Sequence, residues 1–226
     1  GEESKMAGMT RYSIDSNVRT KAMLCVATLS LVCAAVTNLA FFPCLESLAS
    51  CMGIGAIYQN LSKIGLIGSA AAFAWYGVFW YFFDSKLWKL FKCFHGIPDL
   101  SGDWVGRATS SFKDEGGDPY SCDMKLEITH TFTKIQCKAC FAASESESSC
   151  VGISACNAER DSCRLEFSYE NEAGENAVRV GIWQESHLGF NRIRCEGNMM
   201  KGQYFTNREP QTKGTFVLER KTEDVK

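Results

Sequence analysis

Tyr204, Thr206 and Arg208 recur at a spacing of two near the end of the chain. On a β-strand that spacing puts all three on one face. A phenol ring, a hydroxyl and a guanidinium so arranged can hold a small anion that also carries a flat ring, through charge-assisted hydrogen bonds and stacking. Arg192 and Arg194 share a face of the preceding strand, with Asn191 on the opposite face, and Arg107 lies on an earlier one. All three arginines could reach the same mouth if the strands close on themselves. The plainer reading is that Tyr204 packs the interior, Thr206 and Arg208 shape a turn, and the arginines pair with nearby carboxylates at little gain.

Catalytic chemistry has less support. His95, His130 and His187 are scattered, and none stands in a recognisable motif. His130, between Thr129 and Thr131, reads as an exposed strand residue. No glycine-rich phosphate loop occurs, and the acids at Glu145 and Glu147 read as solvated loop residues. The chain reads as a non-enzyme. Twelve cysteines divide into five before residue 99 and seven after it. An odd number leaves one over in any disulfide framework. Cys137 and Cys140 (CKAC) lie in a strand-like stretch, where positions i and i+3 point to opposite faces, so reduced structural thiols are expected and no metal or cofactor.

The elements that would position these residues fall into two halves. Residues 1–98 hold 8 Lys/Arg against 5 Asp/Glu, and residues 99–226 hold 16 against 21. An acidic second half excludes duplex nucleic acid as partner, because phosphate neutralisation needs a basic face. In that half the apolar period is two. Met124, Leu126 and Ile128 alternate with charged or polar residues, as do Ile135, Cys137, Ala139 and Phe141, then Cys163, Leu165, Phe167 and Tyr169. Val178–Trp183, Gly189–Cys195, Gly202–Asn207 and Gly214–Arg220 continue the pattern, with turns at KDEGGDP, SESESS, NEAGEN and NREPQTKG. Roughly eight antiparallel strands over 99–226 are expected to close into an up-and-down β-barrel. Its first strand carries Gly102, Trp104 and Gly106: the ring closes one end, the glycines permit curvature, and Arg220 in the last strand could stack on the Trp.

The first half contains two uncharged runs, Ala22 to Phe42 and Ile64 to Phe83. Each is long enough for one transmembrane helix, which needs about 20 residues. Arg11, Arg19 and Lys21 precede the first run, and Lys86, Lys89 and Lys92 follow the second. By the positive-inside tendency the N-terminal segment (1–21) and the barrel both face the cytoplasm, joined by a membrane region over 22–98. A turn is expected near Pro43 and Glu46. Whether residues 47–62 extend the second helix stays open. Asp84–Phe94 suits an interfacial helix with lysines toward anionic lipid. Gly65, Gly68, Ser69 and Ala72 form a small-residue stripe that serves either packing of the two spans or oligomerisation.

The sequence resembles the membrane effectors of bacterial CBASS antiphage defence, the CD-NTase-associated protein 15 family. The resemblance rests on Pro98-Asp99-Leu100-Ser101-Gly102-Asp103-Trp104-Val105-Gly106 directly after a second span. It rests also on Gly202 to Arg208, a turn, then Lys213 to Arg220. It implies a two-helix hairpin followed by a barrel that binds a cyclic dinucleotide made by a partner nucleotidyltransferase. It further implies that the spans assemble as a homo-oligomer in the bacterial inner membrane, disrupt the bilayer and kill the infected cell. Tyr204, Thr206, Arg208, Arg192, Arg194 and Arg107 are then the candidates for phosphate and base recognition. The cysteine-rich composition is a departure from the family. Two other readings remain at this stage: a tethered, lipocalin-like carrier of an apolar ligand, and a membrane-anchored scaffold with a filled barrel.

Overall fold

The structure is a computed structural model that describes residues 9–14, 17–63, 65–91, 96–113, 116–141, 144–157, 161–173, 187–207 and 211–221. It divides into two compact units, Ser16–Trp88 and a second made of Gly1–Asp15 with Lys89–Lys226.

The first unit is helical. Helix α1 spans Val18–Cys51, α2 spans Gly55–Lys63 and α3 spans Leu66–Ser85. Two stretches, Val18–Phe41 and Leu66–Ser85, are long and apolar enough to cross a membrane. Their large side chains, Leu31, Leu39 and Phe73 among them, are exposed on the protein itself. The expected turn at Pro43 does not form, and α1 runs through it to Cys51. A helix-interior proline forfeits one backbone bond, which a long apolar helix with packed neighbours tolerates. Residues 47–62 do not extend the second span: they finish α1, turn at Gly53 and form α2. Gly65 caps α3 in the left-handed conformation (φ +74°). Gly68 faces α1, where a Cβ would lie 3.4 Å from the Asn38 side-chain amide, and Trp75 Nε1–H donates to Thr37 Oγ1 (3.1 Å). Ala72 is half-buried, whereas Ser69 is exposed and donates to the Leu66 carbonyl of its own helix.

The second unit is an eight-stranded antiparallel barrel. Its strands are β3 (Gly102–Lys113), β4 (Pro119–His130), β5 (Lys134–Phe141), β6 (Ser144–Asn157), β7 (Ser162–Ala173), β8 (His187–Glu196), β9 (Met199–Thr206) and β10 (Lys213–Arg220). Each pairs with the next, and β10 returns to β3 with Phe216 opposite Ala108 and Arg220 opposite Trp104. The weakest seam is β5–β6, paired only from Lys138↔Glu147 to Cys140↔Glu145. Beyond it the two strands diverge, and residues from before the first helix line the gap: β1 (Thr10–Arg11) pairs with β5 and β2 (Ser13–Ile14) with β6. Tyr12, between them, is fully buried and donates its hydroxyl to the Phe132 carbonyl (2.8 Å).

Two strand expectations change. SESESS is not a turn but the start of β6. Ser146 and Ser148 point inward while Glu145 and Glu147 point out, so a period of two is present without any hydrophobic signal. Val178–Trp183 lies outside the described residues. His130, expected to be exposed, is buried: its Nδ1 accepts from the Leu100 N–H (3.4 Å) and the Tyr12 ring meets it edge-on.

One end of the barrel is packed solid. Trp104 has no exposed surface and donates its indole N–H to the Leu100 carbonyl (3.1 Å), and the Arg220 guanidinium lies 4.5 Å above the ring. Gly102 takes φ +118°, a conformation costly for any other residue, and a Cβ at Gly106 would strike the backbone of Val217. Asp99 accepts from the Ser101 backbone and hydroxyl and pairs with Lys89 (2.9 Å). Burial pushes its carboxyl up, but the Ser101 and Lys89 bonds outweigh that and leave it below its usual value. Lys89 stands in a 3-10 turn, Leu87–Phe91, within the stretch read as an interfacial helix.

Candidate functional site

The opposite end of the barrel is hollow. A cavity of about 220 Å³ opens among the inward positions of all eight strands where β3 ends and β4 begins. Cross-strand contacts between a ring and a glycine shape its wall. Tyr169 of β7 lies against Gly189 of β8, and Tyr204 of β9 against Gly214 of β10; a Cβ on either glycine would collide with the ring. The glycines therefore let both phenols lie flat along the neighbouring strand, where their faces border the cavity. Phe112, Met124 and Phe141 supply an apolar stretch of wall.

The polar part of the lining comes from β6 to β9, from Thr212 just before β10 and from Ser110 of β3. Thr206 and Thr212 share a hydroxyl hydrogen bond (2.9 Å), and both are buried. Asn171 Nδ2 lies 3.4 Å from His187 Nε2. Asn171 Oδ1 is buried with no hydrogen-bond partner among the described residues. Asn191 and Ser146 are buried on the same lining. No Lys, Arg, Asp or Glu lines the cavity among the described residues. The site thus offers neutral donors and acceptors and aromatic faces in a recess partly open to solvent, with Ser146, Asn171, Asn191, Thr206 and Thr212 themselves buried. Such groups act more strongly there than in water, and an acceptor left unpaired there costs about 1–3 kcal/mol.

The residues singled out by sequence fall into two sets. Tyr204 and Thr206 share the inward face of β9 and line the cavity. Arg107, Arg192 and Arg194 stand on the outer face of the barrel, where Arg107 reaches Asp123 (3.7 Å), Arg192 pairs with Glu166 (2.7 Å) and Arg194 with Glu196 (2.7 Å). Arg208 lies outside the described residues. Sequence reasoning missed Asn171, Thr212 and Ser146 and set His187 aside as motif-free. Asn191 was read as facing away from Arg192, and that inward face is the one that matters here. The signal that could have found Asn171 is its parity with Phe167 and Tyr169 on β7, an amide at a position the pattern reserves for the interior.

The cysteines follow the same alternation. Cys137 is buried and Cys140 partly exposed, on opposite faces of β5. Burial pushes the Cys137 thiol far up and the Cys156 thiol to about 12. Cys163 stands opposite Cys195 across β7 and β8, and their mutual hydrogen bond, then burial, raises its value strongly.

The model of the Cap15 cyclic dinucleotide receptor domain matches residues 95–220, which is the run from the packed end's entry to the last barrel strand. The chain belongs to that family. The Cap15 domain is a ligand-binding receptor and not a known catalytic family. No curated protein matches the chain. The barrel is accordingly a Cap15 receptor domain, and the two long apolar helices precede it in the chain.

Proposed function

We propose that this Cap15 chain is a CBASS effector that holds a cyclic dinucleotide in the hollow end of its barrel and answers by assembling its helices in the membrane. The observation that carries the reading is the unpartnered Asn171 Oδ1, buried beside two phenol faces and a pair of threonine hydroxyls. A nucleobase supplies what that acceptor lacks, an N–H donor on a flat ring, and discrimination by one buried polar group is strong because the wrong ligand leaves it unpaired. Tyr204 and Tyr169 would stack on the bases. The Thr206 and Thr212 hydroxyls would donate to phosphate, and Arg208, two residues after Thr206 in the sequence, would supply the cation. Arg107, Arg192 and Arg194 would add only a general positive potential, since they stand outside.

The membrane part of the proposal has its own support. Strands from before α1 and strands from after α3 belong to one barrel, so the helices between them must cross a bilayer an even number of times. Two spans satisfy this, with the barrel and residues 9–14 in the cytoplasm, on the side of the flanking cations. Ligand-driven association of the spans would then open the inner membrane and kill the infected cell.

Phe112, Met124 and Phe141 in the same wall favour a second reading, a carrier of an apolar ligand. Titrating the full-length protein in nanodiscs against a panel of cyclic dinucleotides and trinucleotides, with a fatty acid alongside, separates the two. We expect a cyclic dinucleotide to bind and Tyr204→Ala or Arg208→Ala to weaken it at least tenfold, about 1.5–3 kcal/mol for a charge-assisted contact. Fatty-acid binding with no nucleotide binding would overturn the proposal.

A further inference from the structure

Strand pairing lines up cations across the outside of the barrel. Arg164 of β7 stands directly opposite Arg194 of β8, and Arg194 directly opposite Lys201 of β9; all three are exposed. Like charges in register destabilise a sheet. Glu196 pairs with Arg194, whereas Arg164 and Lys201 make no ion pair among the described residues. The row continues through Val217 of β10 to Arg107 of β3, which pairs with Asp123 (3.7 Å). A sequence that keeps such a row accepts a local cost, and breaches of this kind mark functional sites.

The same cations line an outer groove of about 650 Å³ that shares only Phe216 with the lining of the hollow-end cavity. Arg192, Gln203 and Thr215, partners one register row along, add a guanidinium, an amide and a hydroxyl. No Asp or Glu lines the groove among the described residues. Arg192 and Arg194 meet Glu166 and Glu196 through Nε (both 2.7 Å), and a guanidinium has five N–H donors, so both keep donors for a second anion. At the edge of the groove Ala155 takes φ +50°, in the bulge where β6 shifts register between Ser154 and Asn157. That backbone region is costly for a residue with a side chain, and such outliers and bulges gather at binding sites.

We propose that this groove is a second binding site, for an anion that carries two or more phosphate groups. The row from Arg164 to Lys201 spans roughly 10 Å at about 4.8 Å per strand, so an elongated anion engages all three cations at once. Guanidinium forks match phosphate oxygens two at a time, and the bound charge offsets the repulsion within the bare row. A flat anionic surface fits less well, because Glu196 and Glu219 stand exposed in the adjoining register row and would meet it too. A soluble polyphosphorylated molecule and a lipid headgroup with two phosphates share the required chemistry. The inference concerns the barrel exterior and does not rest on the reading of the cavity.

Calorimetric titration of the full chain in phosphatidylcholine nanodiscs with inorganic tripolyphosphate tests it. Wild type should bind one equivalent per chain, more weakly as salt rises. Arg164→Gln/Lys201→Gln should weaken binding at least tenfold, with a ligand-free melting midpoint that holds or rises as the like charges are relieved. Lys134→Gln/Lys213→Gln removes the same charge from exposed positions outside the groove and should leave the affinity unchanged. Thr215→Val, close in shape and uncharged, should weaken binding several-fold and keeps the test open if the double variant misfolds. Repeating the titration in nanodiscs containing cardiolipin, against nanodiscs matched in charge with phosphatidylglycerol, identifies the source. A weaker apparent affinity with cardiolipin alone assigns the groove to a diphosphorylated headgroup, and equal affinities assign it to a soluble anion. Absence of saturable binding would overturn the proposal, and so would equal losses in the two double variants, which would reduce the effect to general attraction.

Discussion

The packed and hollow ends of the barrel use the same eight strands and the same inward alternation, yet their interiors differ in polarity. At the packed end the inward positions hold Trp104, Leu126, Ile128 and Leu218, and the one polar atom of Trp104 is bonded to Leu100. At the hollow end Ser146, Asn171, Asn191 and Thr206 take inward positions beside Met124, Phe141 and Tyr169, and Thr212 joins them just before β10. Buried polar groups cost stability unless they are satisfied, so an end that holds several of them contributes less to folding than one that holds few. The difference shows a division of labour along one set of strands. One end fixes the shape, and the other keeps the Asn171 Oδ1 acceptor buried without a partner among the described residues.

The sharpest way to break this comparison is to remove the ring that fills the packed end. Trp104→Ala leaves a large cavity under Arg220 and deletes the indole bond, and should cost about 3–5 kcal/mol. Denaturant unfolding of the full-length protein in detergent, followed by circular dichroism, measures it. A loss below about 1 kcal/mol would mean that the stability is spread evenly and the two ends do not differ as argued.

The same contrast governs what could be read from the sequence. β3, β4, β5, β7, β8, β9 and β10 announced themselves through alternation, because much of each strand faces a packed core. β6 did not: its first inward residues, Ser146 and Ser148, are as polar as its outward glutamates, so S-E-S-E looks like a turn. The failure falls where the barrel stops being a packed core and becomes hollow. Hence Tyr204 and Thr206 were legible as a pair, whereas Asn171 and Thr212 carried no pattern to stand out from. β1 and β2 were illegible for a different reason. Two-residue strands carry no period, and only the divergence of β5 from β6, a property of the closed barrel, gives them a place. The arginines were misjudged in direction because parity alone does not say which face is inside until neighbouring strands are paired.

A variant at the hollow end should behave in the reverse sense to Trp104→Ala. Asn171→Leu keeps the volume and removes the unpartnered acceptor, so the unfolding free energy should stay within about 1 kcal/mol of wild type or rise. Cyclic-dinucleotide affinity should fall by roughly tenfold or more as the base loses its acceptor. Differential scanning calorimetry beside a ligand titration checks both signs. A large drop in stability with unaltered affinity would place Asn171 among the structural residues and erase the distinction between the ends.

The smallest effect expected lies at the edge of the packed end, where Asp99 joins Lys89 and Ser101. The folded-state pKa of Asp99 is depressed, so its contribution is present above the unfolded value of about 3.9 and is lost as pH falls through the folded one. Its side chain and that of Lys89 are 30% and 36% exposed, and solvent screening holds the pair to less than about 1 kcal/mol. Asp99→Asn should therefore lower stability slightly at pH 7, and the gap from wild type should narrow on acidification and vanish once both forms are neutral. Salt should narrow it as well, because the Lys89 part is a partly exposed ion pair. Unfolding curves at pH 7, 5 and 3 measure the gap. A gap that stays constant with pH would assign the loss to the Ser101 turn geometry, leaving the carboxylate charge without a part in holding the packed end together.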